Sequence, residues 1–190
     1  MEGTKKMVQN TPYQIALTKD LSVPQRAVVG EIVSPKKNFK CEITVNDSLV
    51  SKYEMRDLFL SLLPLNPLTI PQYKLVITAD FLRRLQKKDA DAFFKLYHEL
   101  GHIHHGDLLR SAKAEEQKET ALSGEPTAED LAADAFAKGY MGLKNSLHAL
   151  KAIEKEREEL CNSAACGDRA ELNRAAVEEV RRRIEAMKQN

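Results

Sequence analysis

Two histidines and a glutamate form the pattern in this chain that implies a specific chemistry: His98, Glu99 and His102 in the string HELGH. Residues i and i+4 lie on the same face of a helix, so both imidazoles can reach a single metal ion. Zinc accepts neutral histidine nitrogens readily, and a site with three protein ligands keeps a fourth position for water. A zinc-bound water has a pKa of about 7 instead of about 15.7, so Glu99 can take its proton as a general base. The pattern therefore predicts metal-assisted hydrolysis, with His98 and His102 as zinc ligands.

The flanking residues predict that this string lies on a helix of about four turns. Asp89 is a candidate N-cap, and Gly106 is a candidate glycine stop. Gly101 costs about 1 kcal/mol relative to alanine inside a helix. Its place close to the histidine face predicts that another backbone or a substrate approaches there. The large apolar residues fall on the side opposite the histidines: Phe93, Leu96, Leu100 and Ile103.

A second predicted helix supplies candidates for the third ligand. It begins near Thr127, after a proline, and ends near the glycines at 139 and 142. Asp130 and Asp134 are four residues apart and share a face of this helix.

Here the chain resembles the gluzincin zinc metallopeptidases, in which HExxH is followed by a helix with an acidic ligand and, four residues later, a second acidic or amide residue. Residues 130–137, DLAADAFA, are similar to the string Glu-x-x-Ala-Asp/Asn-x-Phe-Ala of the prenyl-protease-like and phage-antirepressor-like families. Residues 75–82 look like the strand and helix start that precede the zinc helix in those enzymes. The resemblance covers about residues 72–142. It implies that Asp130 is the third zinc ligand and that Asp134 accepts a hydrogen bond from one histidine.

Asp130 is one methylene shorter than the glutamate usual in those families, so alternatives stay open. Glu129 could reach the metal instead. Alternatively, Thr127 and Asp130 form a capping box, Asp134 faces solvent, and the ligand is Glu129 or Glu125. We favour Asp130 because aspartate is an ordinary zinc ligand and only this register reproduces the family spacing.

Composition predicts a compact soluble protein. With 190 residues and 43% hydrophobic content, the chain can build a core for one domain, with or without an extension. Its formal net charge of +1 gives no general attraction to nucleic acid. The sequence shows neither a membrane-spanning run nor a signal-peptide pattern. Cys41, Cys161 and Cys166 are odd in number and fit free thiols, which predicts a cytoplasmic location.

The chain divides into three predicted parts. Residues 1–71 form an N-terminal α/β part that completes the domain, with β-prone runs at 27–33 and 40–45 and a helix at 51–63. Residues 72–142 form a zincin catalytic core. Its strand at 73–78 is expected to present an edge to which an extended peptide substrate adds.

Residues 143–190 form a helical C-terminal extension, predicted as two helices broken near 162–168. A narrow apolar stripe on the last helix predicts that it docks on the domain or on a partner, and so completes the cleft or covers it. The run Arg181–Arg183 is interpreted as a solvated face. The stripe comprises Leu172, Ala176, Val180, Ile184 and Met187.

Together these features predict an α+β, zincin-like metallopeptidase domain with a small sheet, a zinc-binding active-site helix and a helical C-terminal extension. We expect a zinc-dependent endopeptidase acting on a peptide or protein substrate, with Tyr140 or His105 as candidates for stabilising the oxyanion. One alternative is a regulatory peptidase that cleaves an intracellular repressor or other partner. Another is a non-enzymatic interaction module stapled by zinc. Structural zinc sites are closed by four protein ligands, which separates this last alternative from an enzyme.

Overall fold

The computed structural model of the chain describes residues 13–20, 22–34, 39–48, 57–62, 72–107, 124–162 and 170–189. This part is an α+β protein with a five-stranded sheet and five helices. It forms two compact units, residues 1–89 and residues 90–190. The functional division into parts 1–71, 72–142 and 143–190 stays a prediction.

The first unit holds the sheet. Its strands are β1 (Gln14–Leu17), β2 (Val28–Ser34), β3 (Phe39–Val45), β4 (Leu58–Leu62) and β5 (Gln72–Ile77). They lie in the order β1-β2-β3-β5-β4, and β3 and β5 form the parallel pair. The β-prone runs at 27–33 and 40–45 are therefore confirmed as strands. Helix α1 (Ala79–Gln86) follows β5, and the hydroxyl of Thr78 caps it by accepting a hydrogen bond from the N–H of Phe81 over 3.0 Å.

The predicted helix at 51–63 is wrong over the residues that the structure describes. Residues 58–62 form β4, which pairs antiparallel with β5. Leu58 and Leu60 are buried, while Phe59 and Ser61 between them are half-buried. That alternation has the two-residue period of a strand. The backbone N–H and C=O groups of these residues form hydrogen bonds with the neighbouring strand β5, whereas in a helix they would bond within the segment. Residues 51–56 lie outside the described part of the chain.

The prediction that the strand at 73–78 presents an open edge is also wrong. β5 pairs with β3 on one side, where Tyr73 faces Cys41, and with β4 on the other, where Leu75 faces Leu60. Its backbone donors and acceptors are already used in two ladders. Among the described strands, β1 and β4 are the edges of the sheet.

The second unit consists of helices. They are α2 (Ala90–His105), α3 (Ala128–Met141), α4 (Leu143–Cys161) and α5 (Ala170–Gln189). α3 packs on α2, α4 contacts both of them, and α5 packs on α4 and contacts α3. The break between the last two helices is therefore confirmed, with residues 163–169 outside the described part.

The predicted stripe on the last helix is mostly buried by these contacts. Val180, Ile184 and Met187 are almost inaccessible to solvent, whereas Leu172 at the start of the helix is 41% exposed. The expectation that this helix docks on the chain itself is confirmed. The C-terminal helices and the predicted metal-binding helix share one core.

Two further observations concern membrane-spanning helices and the cysteines. Within the described ranges, none of the helices combines the length and the apolar content that crossing a membrane requires. Cys41 is buried in β3 and Cys161 is half-buried in α4, and neither forms a disulfide within the described residues. Cys166 lies outside the described residues.

Candidate metal centre

Helix α2 presents the two histidines. It begins directly after Asp89 and ends at His105, where Gly106 has a φ of +76° and donates its N–H to the carbonyl of His102. The glycine stop is therefore confirmed, since this left-handed conformation is one that glycine adopts without strain. Leu96, Leu100 and Ile103 are buried on one side of the helix, and Phe93 is half-buried there. His98 and His102 point the other way, towards α3.

Gly101 allows α3 to approach α2 closely. A Cβ atom at Gly101 would lie 2.7 Å from the Cα of Ala133 and 3.0 Å from its Cβ. The prediction that another backbone approaches here is confirmed. Because Ala133 is flanked on α3 by Asp130 and Asp134, this contact brings both aspartates to the histidines.

Replacing Gly101 should therefore destabilise the chain even though alanine is the better helix former. We expect Gly101→Ala to lower the free energy of unfolding by about 1–3 kcal/mol, because overpacking against Ala133 outweighs the gain of up to about 1 kcal/mol in helix propensity. Gly139→Ala in α3 is the matched control, since a Cβ there meets no heavy atom within 4 Å. Denaturant unfolding should show Gly139→Ala to be as stable as the parent chain or more so. Equal stabilisation by both substitutions would contradict the close packing.

Three ligand atoms converge in the second unit. His98 Nε2 and His102 Nε2 lie 3.1 Å apart, and the Oδ1 atom of Asp130 lies 3.7 Å and 3.6 Å from them. A tetrahedral zinc site with bonds of about 2.0–2.1 Å separates its ligand atoms by about 3.3 Å. The separations of this cluster are close to that value, so His98, His102 and Asp130 could hold a metal ion.

Each histidine is fixed by a second carboxylate on its far nitrogen. His98 Nδ1 lies 2.8 Å from Asp134 Oδ1, and His102 Nδ1 lies 2.9 Å from Asp107 Oδ2. An ionised carboxylate only accepts hydrogen bonds, so each Nδ1 carries the proton and donates. In the neutral rings both Nε2 atoms are then acceptors that face each other at 3.1 Å. Two acceptors this close need a cation or a proton between them, which is the condition of a metal site.

The charges of the cluster follow from the same contacts. Burial and the Arg183 guanidinium oppose a positive charge on His98, but the carboxylates of Asp130 and Asp134 outweigh them and raise its pKa to about 9. Burial opposes ionisation of both aspartates. The nearby His98 and the bonds from Thr127 nevertheless hold the pKa of Asp130 below its usual range, and the bonds from Arg183 and His98 do the same for Asp134. Both carboxyls are therefore ionised, and their charges favour a proton on His98 in the metal-free cluster. A metal ion binding there displaces that proton.

Asp130 combines two roles that the sequence presented as alternatives. Its Oδ2 atom accepts hydrogen bonds from the hydroxyl and the N–H of Thr127, which completes the capping box at the start of α3. Its Oδ1 atom faces the histidines. Asp134 is only 3% exposed, so the alternative in which it faces solvent is wrong.

The competing ligand candidates lie elsewhere. Within the described residues, the potential metal-binding group comprises His98, His102 and Asp130 and does not include Glu129. Glu125 is paired with Arg182. The geometry thus brings together the ligand set that the family spacing implies, while its binding of a metal stays a prediction.

Glu99, the predicted general base, is the next residue after the ligand candidate His98. It follows His98 on α2, about 100° further around the helix, and is half-buried. In the described part of the chain its carboxylate has no hydrogen bond and no ion pair. A carboxylate in this position remains free to accept a proton from a reacting group.

The two oxyanion candidates both contact an aromatic ring of α3. Tyr140 contacts Phe136 with ring centroids 4.8 Å apart, and His105 contacts the same ring at 6.4 Å. On α3, Phe136 and Tyr140 project on the opposite side of Ala133 from the two aspartates. The role of either residue in stabilising the oxyanion stays a prediction.

Sequence reasoning missed two residues that contact the centre. Asp107 had no signal beyond following the glycine stop. Arg183 was interpreted with Arg181 and Arg182 as a solvated face, and this is wrong for Arg183, which is 7% exposed and bonded to Asp134. A signal was present, because residue 183 lies at the helical spacing of Val180, Ile184 and Met187 and so falls within the buried stripe.

Comparison of the chain with protein-family models, with curated proteins and with solved structures gives no significant match. Any assignment of function therefore depends on the chemistry of this site.

Proposed function

We propose that the chain is a zinc-dependent endopeptidase whose metal ligands are His98, His102 and Asp130. The observation that carries this proposal is the convergence of two histidine Nε2 atoms and one carboxylate oxygen, with each histidine held through Nδ1 by its own carboxylate. Histidine nitrogens with an outer carboxylate partner are the usual environment of catalytic zinc.

The size of the ligand group favours an enzyme over a zinc-stapled interaction module. Structural zinc sites are closed by four protein ligands, whereas catalytic sites have three and leave one position for water or substrate. Among the residues that the structure describes, this group has three members. When bound there, zinc would acidify water at the remaining position and polarise the carbonyl group of a substrate.

Glu99 supplies the acid–base chemistry of the proposed reaction. Its carboxylate takes a proton from the attacking water, whose oxygen forms a bond to the scissile carbonyl carbon. The same carboxyl group then protonates the nitrogen of the leaving amine as the C–N bond breaks. One residue can perform both steps because the first leaves it in the protonated form that the second needs.

The remaining residues position these groups. Asp134 and Asp107 keep the Nδ1 protons on His98 and His102 and so direct each Nε2 towards the ligand position. Thr127 orients Asp130 through the capping box. We also place the reaction in the cytoplasm, where thiols such as those of Cys41 and Cys161 stay reduced.

Metal removal tests the proposal. Purified protein should contain about one zinc ion per chain and cleave an unstructured protein such as casein, because zinc prefers this nitrogen and oxygen ligand set. A chelator should abolish cleavage, and zinc should restore it. Cleavage by the chelated protein would overturn the proposal. A zinc-loaded protein that cleaves no substrate at all would favour the interaction module. One that leaves casein intact but cuts a single repressor-like protein would favour a regulatory peptidase with a restricted substrate.

A further inference from the structure

An arginine from the last helix reaches the metal cluster through Asp134. Arg183 of α5 donates from Nε to Asp134 Oδ2 over 2.8 Å and from Nη2 to Asp134 Oδ1 over 2.7 Å. The same Oδ1 atom accepts the hydrogen bond from His98 Nδ1 at 2.8 Å. A continuous set of contacts therefore connects α5 to the ring whose Nε2 faces the metal position.

The contact of Arg183 with His98 is indirect. Arg183 Nη2 lies 3.3 Å from His98 Nδ1, but an arginine nitrogen can only donate and Nδ1 carries the proton that Asp134 accepts. Two donors thus converge on one carboxylate oxygen. Arg183 acts on His98 through the placement of that oxygen.

Burial makes this pair a costly way to hold two helices together. Arg183 is 7% exposed and Asp134 is 3% exposed. The free-energy cost of desolvating a buried ion pair can exceed the Coulomb energy that the pair gains. Apolar residues of similar size would therefore often stabilise the packing equally well. What the planar guanidinium supplies is geometry, because two parallel N–H···O bonds fix the plane of the carboxylate.

We propose that Arg183 is a positioning residue of the metal centre, which makes the C-terminal helix a part of that centre. By fixing the Asp134 carboxylate, Arg183 fixes the orientation of the His98 ring and the direction of its Nε2 atom. This inference rests on the metal site proposed above.

The charge of Arg183 and its positioning role predict opposite changes in zinc affinity when Arg183 is replaced. A positive charge near a cation site weakens metal binding through space, so removing that charge would strengthen binding if charge were all that mattered. A positioning role predicts that removal weakens binding, because His98 loses its fixed orientation. The sign of the change in zinc affinity therefore separates the two roles.

The test measures zinc affinity of the full chain by competition with a chromophoric chelator. Loss of an outer partner of a metal ligand typically costs 10- to 100-fold in metal affinity. Arg183 lies one contact beyond such a partner, so Arg183→Met should weaken zinc binding by up to about 10-fold. Arg183→Lys can keep one of the two contacts with Asp134, so it should weaken binding by a smaller factor. Arg182→Met, at the exposed neighbouring position on the same helix, is the matched control and should leave the affinity unchanged.

A double-mutant cycle with Asp134→Asn separates positioning from general stability. The effect of Arg183→Met should largely disappear in the Asp134→Asn background, because Arg183 acts through that carboxylate. If Arg183→Met fails to fold, folded Arg183→Lys with parental affinity would overturn the proposal. Tighter binding by Arg183→Met, or an equal loss in both backgrounds, would overturn it as well. Parental zinc binding without peptidase activity would contradict the proposed function but leave this inference intact.

Discussion

Glu99→Gln should reduce peptide hydrolysis by a factor of about 10² to 10⁴ while leaving zinc bound and the fold unchanged. The substitution keeps the size of the side chain and removes its ability to accept and return a proton. Because Glu99 has no hydrogen bond or ion pair within the described residues, its loss should not disturb the packing of α2. Turnover, zinc content and thermal unfolding of the purified variant check the three parts of this expectation.

Glu171→Gln is the matched control for this loss. Glu171 is exposed on α5, and the same change of charge there should leave turnover at the parental level. If Glu99→Gln turned over substrate as fast as Glu171→Gln, Glu99 would not be the base and the proposed mechanism would fail.

Asp130→Ala should lower the zinc affinity by more than the 10- to 100-fold that typically follows loss of an outer partner. The substitution removes the only carboxylate oxygen in the cluster of three ligand atoms. It also removes the capping box with Thr127, so part of any loss could arise from a weaker helix start. Competition with a chelator gives the affinity, and denaturant unfolding gives the stability.

Two further variants separate the ligand from the cap. Thr127→Ala removes the capping box but keeps the carboxylate. It should therefore cost about 1 kcal/mol of stability and, as the loss of an outer partner, weaken zinc binding less than Asp130→Ala does. Glu129→Ala tests the neighbouring register and should retain the parental zinc affinity. A larger loss of zinc in Glu129→Ala than in Asp130→Ala would show that the ligand register is wrong.

Much of the centre could be predicted because local rules determine it. The i, i+4 spacing of His98 and His102, the glycine stop at Gly106 and the capping pattern of Thr127 each depend on a few adjacent residues. Gly101 was informative in the same local way, because glycine is a poor helix former and its presence inside a helix suggests that a neighbouring element packs closely there. In the structure that neighbour is Ala133 of α3.

The rest depended on contacts between residues far apart in the sequence. Residues 58–62 were predicted as part of a helix, but they pair with β5, which follows later in the chain. The same pairing closes the edge of β5 that the family resemblance implied to be open. Arg183 is 49 positions from Asp134, and nothing in the local charge run distinguishes it from two exposed neighbours. Only its place in the buried stripe gave a signal, because a charge at such a position requires a buried partner.

The most direct test of the account is a crystal structure of the zinc-loaded chain with anomalous scattering recorded at the zinc edge. We expect one anomalous peak, bonded at about 2.0–2.2 Å to His98 Nε2, His102 Nε2 and a carboxylate oxygen of Asp130. The fourth position should hold a non-protein ligand. A peak closed by four protein ligands, a peak elsewhere in the chain, or zinc-soaked crystals with no peak at this cluster would contradict the account.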